Sequence, residues 1–248
     1  MNGKRIVVTR APHQAGELSK LLRAHGADVL LYPCIEIVPP EDTGELDNAL
    51  RHAADFDWLV LTSANTVEAL RLRCEALGLS LREMQTAAVG PATADAARDA
   101  LGVAVQLVPE EHEANALAAA LHVQPGTRVF LPQAAIARST LRDQLAAGGA
   151  DVTAVAAYRT VMGRGGVDVA DLLRADALTF TSSSTVENCT ARVRDEGGDV
   201  DVLLRLHAFC IGPQTAHTAR ECGFGTIITA PVYTLDGLVE ALAGYFGR

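Results

Sequence analysis

The chain has 248 residues, 49% of them hydrophobic and 4% aromatic, and carries a formal net charge of −9. That length fits one large α/β domain or two of about 120 residues, and the acidity argues against non-specific nucleic-acid binding and leaves any anionic ligand to be held by local groups. No apolar run approaches the ~20 residues of a membrane span, and the run after Lys4-Arg5 is too short for a signal peptide, so a cytoplasmic protein is expected.

Ile6-Val7-Val8 reads as a short strand ending at Thr9-Arg10. Ala11-Pro12 then opens a helix, with proline in the first turn, where its missing N–H does no harm. Leu18, Leu21 and Leu22 give that helix an apolar face, Gly26 ends it, and Asp28–Cys34 forms a second strand. The extended stretch 35–40 (IEIVPP) reads as a linker. Leu59–Leu61 is a strand that stops at Thr62-Ser63, and the Asn65/Glu68 spacing predicts a capping box with the helix beginning at Asn65. Residues 85–98 form a strand, a Gly90-Pro91 turn and a helix, and 103–109 a last strand before a closing helix that ends near Leu121. The series then begins again. Residues 128–133 form a strand, Leu141 and Leu145 mark a helix ended by Gly148-Gly149, and 151–157 form its partner strand. Residues 158–162 (YRTVM) and the glycine-rich 163–166 make a second linker. Residues 176–189 repeat 57–70 with half their positions identical, and Ser184/Glu187 repeat the predicted cap. Residues 207–220 repeat the Gly-Pro turn at Gly212-Pro213, and 225–231 and a helix ending near Leu242 close the chain.

The order is therefore X, Y, X, Y, where X is strand–helix–strand and Y is the remainder. An offset of 123 aligns the two X modules without a gap, pairing Leu18 with Leu141 and Gly26 with Gly149. Alternating strands and helices mean parallel sheets covered on both faces. One X and one Y supply five strands, the number in a flavodoxin-like doubly wound sheet. Two linkers favour a swap, in which the second X joins the first Y, but tandem domains fit the same pattern.

In such sheets ligands sit beyond the carboxyl ends of the strands. The groups there are Thr9-Arg10, Thr62-Ser63, Gly90-Pro91, Gln133, Ser182–Ser184 and Gly212-Pro213. Most are small, polar and directly before a helix start, whose free N–H groups can hold a carboxylate or phosphate; the same small residues also serve simply as caps and turns. Arg10 and Arg138 follow the first strands of the two X modules and could bind carboxylate in two-pronged fashion. Tyr158 is the only linker tyrosine, and a phenol can donate a proton. The five cysteines make no CxxC pair and the seven histidines no HExxH, so no metal site is expected. GxGxxG, GxxxxGK[ST] and GxSxG are missing too, which removes support for dinucleotide, nucleotide-hydrolysis and serine-hydrolase chemistry.

VTRA at 8–11, LVLTSANTVEAL at 59–70, AVGPATA at 88–94, AAYRTV at 156–161, TFTSSSTVE at 179–187 and CIGPQTA at 210–216 together resemble uroporphyrinogen-III synthase, in order and across essentially the whole chain. The resemblance implies two α/β domains joined by a two-stranded β-ladder, one of residues 1–36 and 161–248 and the other of 37–160. It implies cyclisation of linear hydroxymethylbilane to uroporphyrinogen III, with loss of water and inversion of ring D, without a cofactor or metal; a monomer with no nucleic-acid or membrane partner is expected. Tyr158 matches the family tyrosine proposed to help the hydroxyl leave. Ser63, Thr93, Ser182 and Thr215 match polar cleft positions, and amides near Gly90 and Gly212 would hold substrate carboxylates. The rival expectation is a two-domain protein that binds a small polyanion without chemistry.

Overall fold

The structure, a computed structural model, describes residues 1–111 and 113–247. The chain divides into two compact units, Met1–Glu36 with Val161–Arg248 (unit 1) and Ile37–Thr160 (unit 2). Unit 1 begins with β1 (Arg5–Val8), α1 (Ala15–Ala24) and β2 (Asp28–Leu31). β3 (Ile35–Val38) leads into α2 (Gly44–Arg51), β4 (Trp58–Leu61), α3 (Ala64–Leu77), β5 (Thr86–Ala88), α4 (Pro91–Leu101), β6 (Val105–Leu107), α5 (Ala114–Ala120), β7 (Arg128–Ala134), α6 (Thr140–Ala147) and β8 (Asp151–Met162). Unit 1 resumes with α7 (Val169–Leu172), β9 (Ala177–Phe180), α8 (Ser183–Asp195), α9 (Val200–Arg205), β10 (His207–Cys210), α10 (Pro213–Glu221), β11 (Thr226–Thr229) and α11 (Leu235–Phe246).

Unit 1 carries a five-stranded sheet in the order β11-β10-β9-β1-β2, parallel throughout. Its three central strands, β1, β9 and β10, are buried on both faces because successive residues feed opposite cores. Val7, Leu178 and Ala208 join the cluster around Tyr32 and Phe180, while Ile6, Val8, Ala177 and Phe209 join the one around Leu18 and Leu238. The six-stranded sheet has the order β3-β8-β7-β4-β5-β6, and the pairs from β8 to β6 are parallel. Here Leu59 and Leu61 face one cluster and Val60 the other. Each fully buried leucine or isoleucine contributes about 1.5–3 kcal/mol over its exposed state. In unit 1 the first X strand, β1, pairs with β9 of the second Y. In unit 2 β7 of the second X pairs with β4 of the first Y.

The repeated stretches share an anchor. The Asp176 carboxylate accepts the Arg5 N–H at 2.8 Å, and the Asp57 carboxylate accepts the Arg128 N–H at 2.7 Å. Each ties the foot of a Y strand to the foot of the neighbouring X strand.

Several boundaries differ from the sequence expectations. α3 and α8 are capped not by Asn65 and Ser184 but by Ser63 and Ser182, whose backbones are extended and which stand one residue beyond Thr62 and Thr181, the first residues after the strands. Both expected caps lie within the first turn, and Glu68 pairs with Arg71 at 2.9 and 2.8 Å. A 3-10 turn at Pro12–Gln14 precedes α1, and β2 stops at Leu31, ahead of Pro33. Tyr158 is not in a separate linker: β8 runs unbroken through it to Met162. The glycine-rich stretch is a close crossing, since a Cβ at Gly163 would meet the Pro33 carbonyl and one at Gly166, where φ is +83°, the Leu31 carbonyl. The chain there needs glycine for contact as well as for conformation.

Candidate functional site

In unit 2 the strands deliver two polar turns and one phenol to their carboxyl ends. β4 ends in Thr62-Ser63. The Ser63 Oγ accepts the Thr66 N–H at 3.2 Å, and Tyr158, on β8, brings its hydroxyl to 3.4 Å from the same oxygen. Tyr158 is 8% exposed, so the phenol is mostly enclosed. β5 leads through Val89 to Gly90, the N-cap of α4, with Pro91 in the first turn and the buried Thr93 at the third position. Glycine offers no capping side chain, so the amides of Ala92 and Thr93 keep their capacity for an incoming anion. At α3, by contrast, Ser63 already occupies the Thr66 amide.

Unit 1 repeats these turns with one substitution of chemistry. Ser182 Oγ accepts the Thr185 N–H at 3.3 Å and closes a full capping box. Gly212 caps α10 as Gly90 caps α4, with Pro213 and then the buried Thr215. The ring of Tyr233, which is 64% exposed, lies in van der Waals reach of the place a Gly212 side chain would take. After β1, Arg10 is half-buried and its Nε is enclosed without a hydrogen-bond partner among the described residues. Burial draws the Arg10 guanidinium below its usual range, and the charge of Glu17 pulls the other way. An enclosed donor of this kind costs about 1–3 kcal/mol until something accepts from it.

The structure thus brings Ser63 and Tyr158 into contact and sets Gly90 and Thr93 in one turn and Gly212 and Thr215 in another. Arg138 is different from Arg10: it stands exposed in the loop after β7, because that strand continues to Ala134 while β1 stops at the position matching Leu131. Sequence reasoning missed Thr66, which is fully buried with its hydroxyl 3.0 Å from Ser63 Oγ. The signal was present, since Thr66 and Thr185 are identical in the two copies. Burial pushes the thiols of Cys34, Cys74, Cys210 and Cys222 up, Cys210 to about 12, so none of these four is a thiolate at neutral pH. Among the described residues no three His, Cys, Asp or Glu side chains are grouped to hold a metal ion, and no helix is long and apolar enough to cross a membrane. A groove of about 400 Å³ lies on unit 2 between α2 and the first half of β8, lined by Glu45, Asn48, His52 and Thr153 among others. It includes none of the strand-end residues.

This arrangement has counterparts among known proteins. The uroporphyrinogen-III synthase of Synechococcus elongatus is 36% identical over 251 residues, spanning 97% of this chain and 94% of that protein. The crystal structure of uroporphyrinogen-III synthetase from Helicobacter pylori aligns with a TM-score of 0.65 at 18% identity, covering 98% of this chain and 99% of that one. A mutant uroporphyrinogen III synthase from Thermus thermophilus aligns with a TM-score of 0.61 at 20% identity, covering 99% and 98%. At these identities the two structures establish the shared α/β fold with parallel sheets. A family model described as uroporphyrinogen-III synthase HemD matches residues 16–240. With nine-tenths of its length matched in this way, the chain belongs to the uroporphyrinogen-III synthase family.

Proposed function

We propose that this chain cyclises hydroxymethylbilane to uroporphyrinogen III, with loss of water and inversion of ring D. The observation that carries the reading is the placement of the Tyr158 phenol at the carboxyl end of a parallel sheet, against the Ser63 cap. Tyr158 acts as general acid. Its proton passes to the departing hydroxyl, the C–O bond breaks and water leaves, and the terminal pyrrole becomes cationic. A positioned acid contributes about 10²–10⁴-fold.

The remaining groups hold the substrate. Its carboxylates are received by the uncapped amides after Gly90 and Gly212, by the hydroxyls of Thr93, Thr215 and Ser182, and by the enclosed Arg10, with Arg138 reaching from its exposed loop. Positioning of this kind supplies much of a barrier when the free reactant can close in more than one way. It also resolves the conflict between a net charge of −9 and a polyanionic substrate, because main-chain donors and one desolvated guanidinium act locally. We further infer that the two units are flavodoxin-like domains joined by the β3/β8 pair, with boundaries at 36/37 and 160/161, and that the protein works as a monomer without cofactor or nucleic acid. Incubating the purified protein with hydroxymethylbilane and separating the product isomers tests the reaction. Type III isomer formed ahead of spontaneous closure is the expected result, and type I alone at the spontaneous rate would restore the binding-protein reading.

A further inference from the structure

The hydroxyls at the start of α3 are arranged differently from their twins at the start of α8. In unit 1 the Thr185 hydroxyl folds onto the main chain: it donates to the Ser182 carbonyl at 2.7 Å and accepts the Ser182 N–H at 3.3 Å, while Ser182 Oγ lies 3.0 Å from Ser184 Oγ and only 3.5 Å from the Thr185 hydroxyl, to which it donates. In unit 2 the Thr66 hydroxyl lies instead 3.0 Å from Ser63 Oγ, which in turn lies 3.4 Å from the Tyr158 phenol oxygen.

A serine hydroxyl has two acceptor sites and one proton. The Thr66 N–H fills one acceptor site of Ser63 at 3.2 Å. Thr66 is fully buried, so its hydroxyl proton needs a protein acceptor, and Ser63 Oγ is within reach. With both acceptor sites filled, Ser63 has only its proton to offer Tyr158. This assignment, one of the two that each hydroxyl pair allows, has the phenol oxygen accept from Ser63 and leaves the phenol's own proton pointing away from it.

We propose that Thr66 is a positioning residue which, through Ser63, fixes the direction in which Tyr158 donates. The proposal rests on Tyr158 as the general acid. Thr66 donates to Ser63 and Ser63 to Tyr158, and the Tyr158 proton is aimed at the leaving hydroxyl. Once that proton has gone and water has left, the phenolate keeps the Ser63 hydrogen bond. It regains a proton when the closed macrocycle loses one to restore its last pyrrole. The contact of 3.4 Å is long for a hydroxyl pair, as catalytic contacts often are before substrate binds.

The internal repeat supplies the control. Thr66→Val removes the hydroxyl but keeps the β-branch and the capping N–H; Thr185→Val makes the same change in unit 1. Thr66→Val is expected to lower the rate of type III formation about 5- to 10-fold with KM little changed, the effect of one lost hydrogen bond. Thr185→Val should stay near the wild-type rate, and Thr66→Ser should restore activity. In the Tyr158→Phe background Thr66→Val should cause no further loss. Urea midpoints are read alongside, and Thr66→Ala gives a second hydroxyl-free variant should Thr66→Val not fold. A wild-type rate in either hydroxyl-free variant, or the same fractional loss with and without the Tyr158 phenol, overturns the proposal while leaving the cyclisation itself in place. A wild-type protein that makes no type III isomer overturns both.

Discussion

The strand–turn–helix at Asp57–Leu70 and its twin at Asp176–Cys189 share a serine cap, a threonine three residues later and an aspartate at the strand foot, yet they are finished differently. In unit 1 the cap is closed on itself, with the Thr185 hydroxyl bound to the Ser182 backbone. In unit 2 it is left open toward Tyr158, 95 residues away in sequence. Beyond its first strand unit 1 has the half-buried Arg10, whose Nε has no hydrogen-bond partner among the described residues, whereas unit 2 has the exposed Arg138. Under the proposed mechanism the duplicated scaffold is divided: proton transfer would fall to unit 2, and the partly buried charge for a carboxylate to unit 1.

Removing the phenol breaks that division most severely. Tyr158→Phe should lower the rate of type III formation by about 10²–10⁴-fold with the fold unchanged, as read by isomer analysis and circular dichroism. Next comes the charge in unit 1. Arg10→Met should raise KM for hydroxymethylbilane roughly 10- to 100-fold, since hydrogen bonds to a charged group contribute about 1.5–3 kcal/mol. Arg138→Met should raise it less, because an exposed guanidinium is screened by water and salt. Equal effects would erase the distinction between the two loops.

The caps give a smaller, symmetric effect. Ser63→Ala and Ser182→Ala should each reduce stability by about 1 kcal/mol in urea titrations. The foot anchors give the smallest. Burial works to raise the Asp176 carboxyl, but hydrogen bonds from Lys4 and the Arg5 N–H outweigh it and hold the group below its usual range. A carboxyl lowered in this way adds stability above its unfolded value, near pH 4, and loses it as pH falls through the folded value. Asp176→Asn should therefore be less stable than wild type at pH 7, with the gap closing below about pH 4. Asp57→Asn should cost less, since Thr127 stands where Lys4 stands in unit 1 and Asp57 is exposed.

The parallel α/β character and the repeat were legible because strand ends, Gly-Pro turns and helix faces recur at fixed spacing. The exact start of α3 was not. Asn65 and Glu68 have good capping chemistry at the right interval, but the extended backbone of Ser63, two residues past the end of β4, makes Ser63 the cap. Tyr158 read as part of a linker because Ala157 closes an apolar alternation; nothing in residues 158–162 breaks a strand, and β8 continues. Helix α2 left a weak trace in Leu46, Ala49 and Leu50, which are buried on one face, and was passed over between a linker and a strand. The hydroxyl chain from Thr66 to Tyr158 depends on a threonine rotamer and on the meeting of distant segments, neither of which sequence spacing encodes. The contrast between Arg10 and Arg138 turns on three extra residues in β7, which carry the second loop further from the sheet.

The central claim is that main-chain donors at the strand-end turns hold the substrate's carboxylates. Amide chemical-shift mapping with uroporphyrinogen III, kept anaerobic and dark, tests it most directly. The account predicts that the largest shifts fall on the amides of Gly90, Ala92, Thr93, Gly212, Gln214 and Thr215, with further shifts around Arg10 and Tyr158. Saturable binding that leaves those amides unmoved, with shifts confined to the groove beside α2 or to helix carboxyl ends, would contradict it.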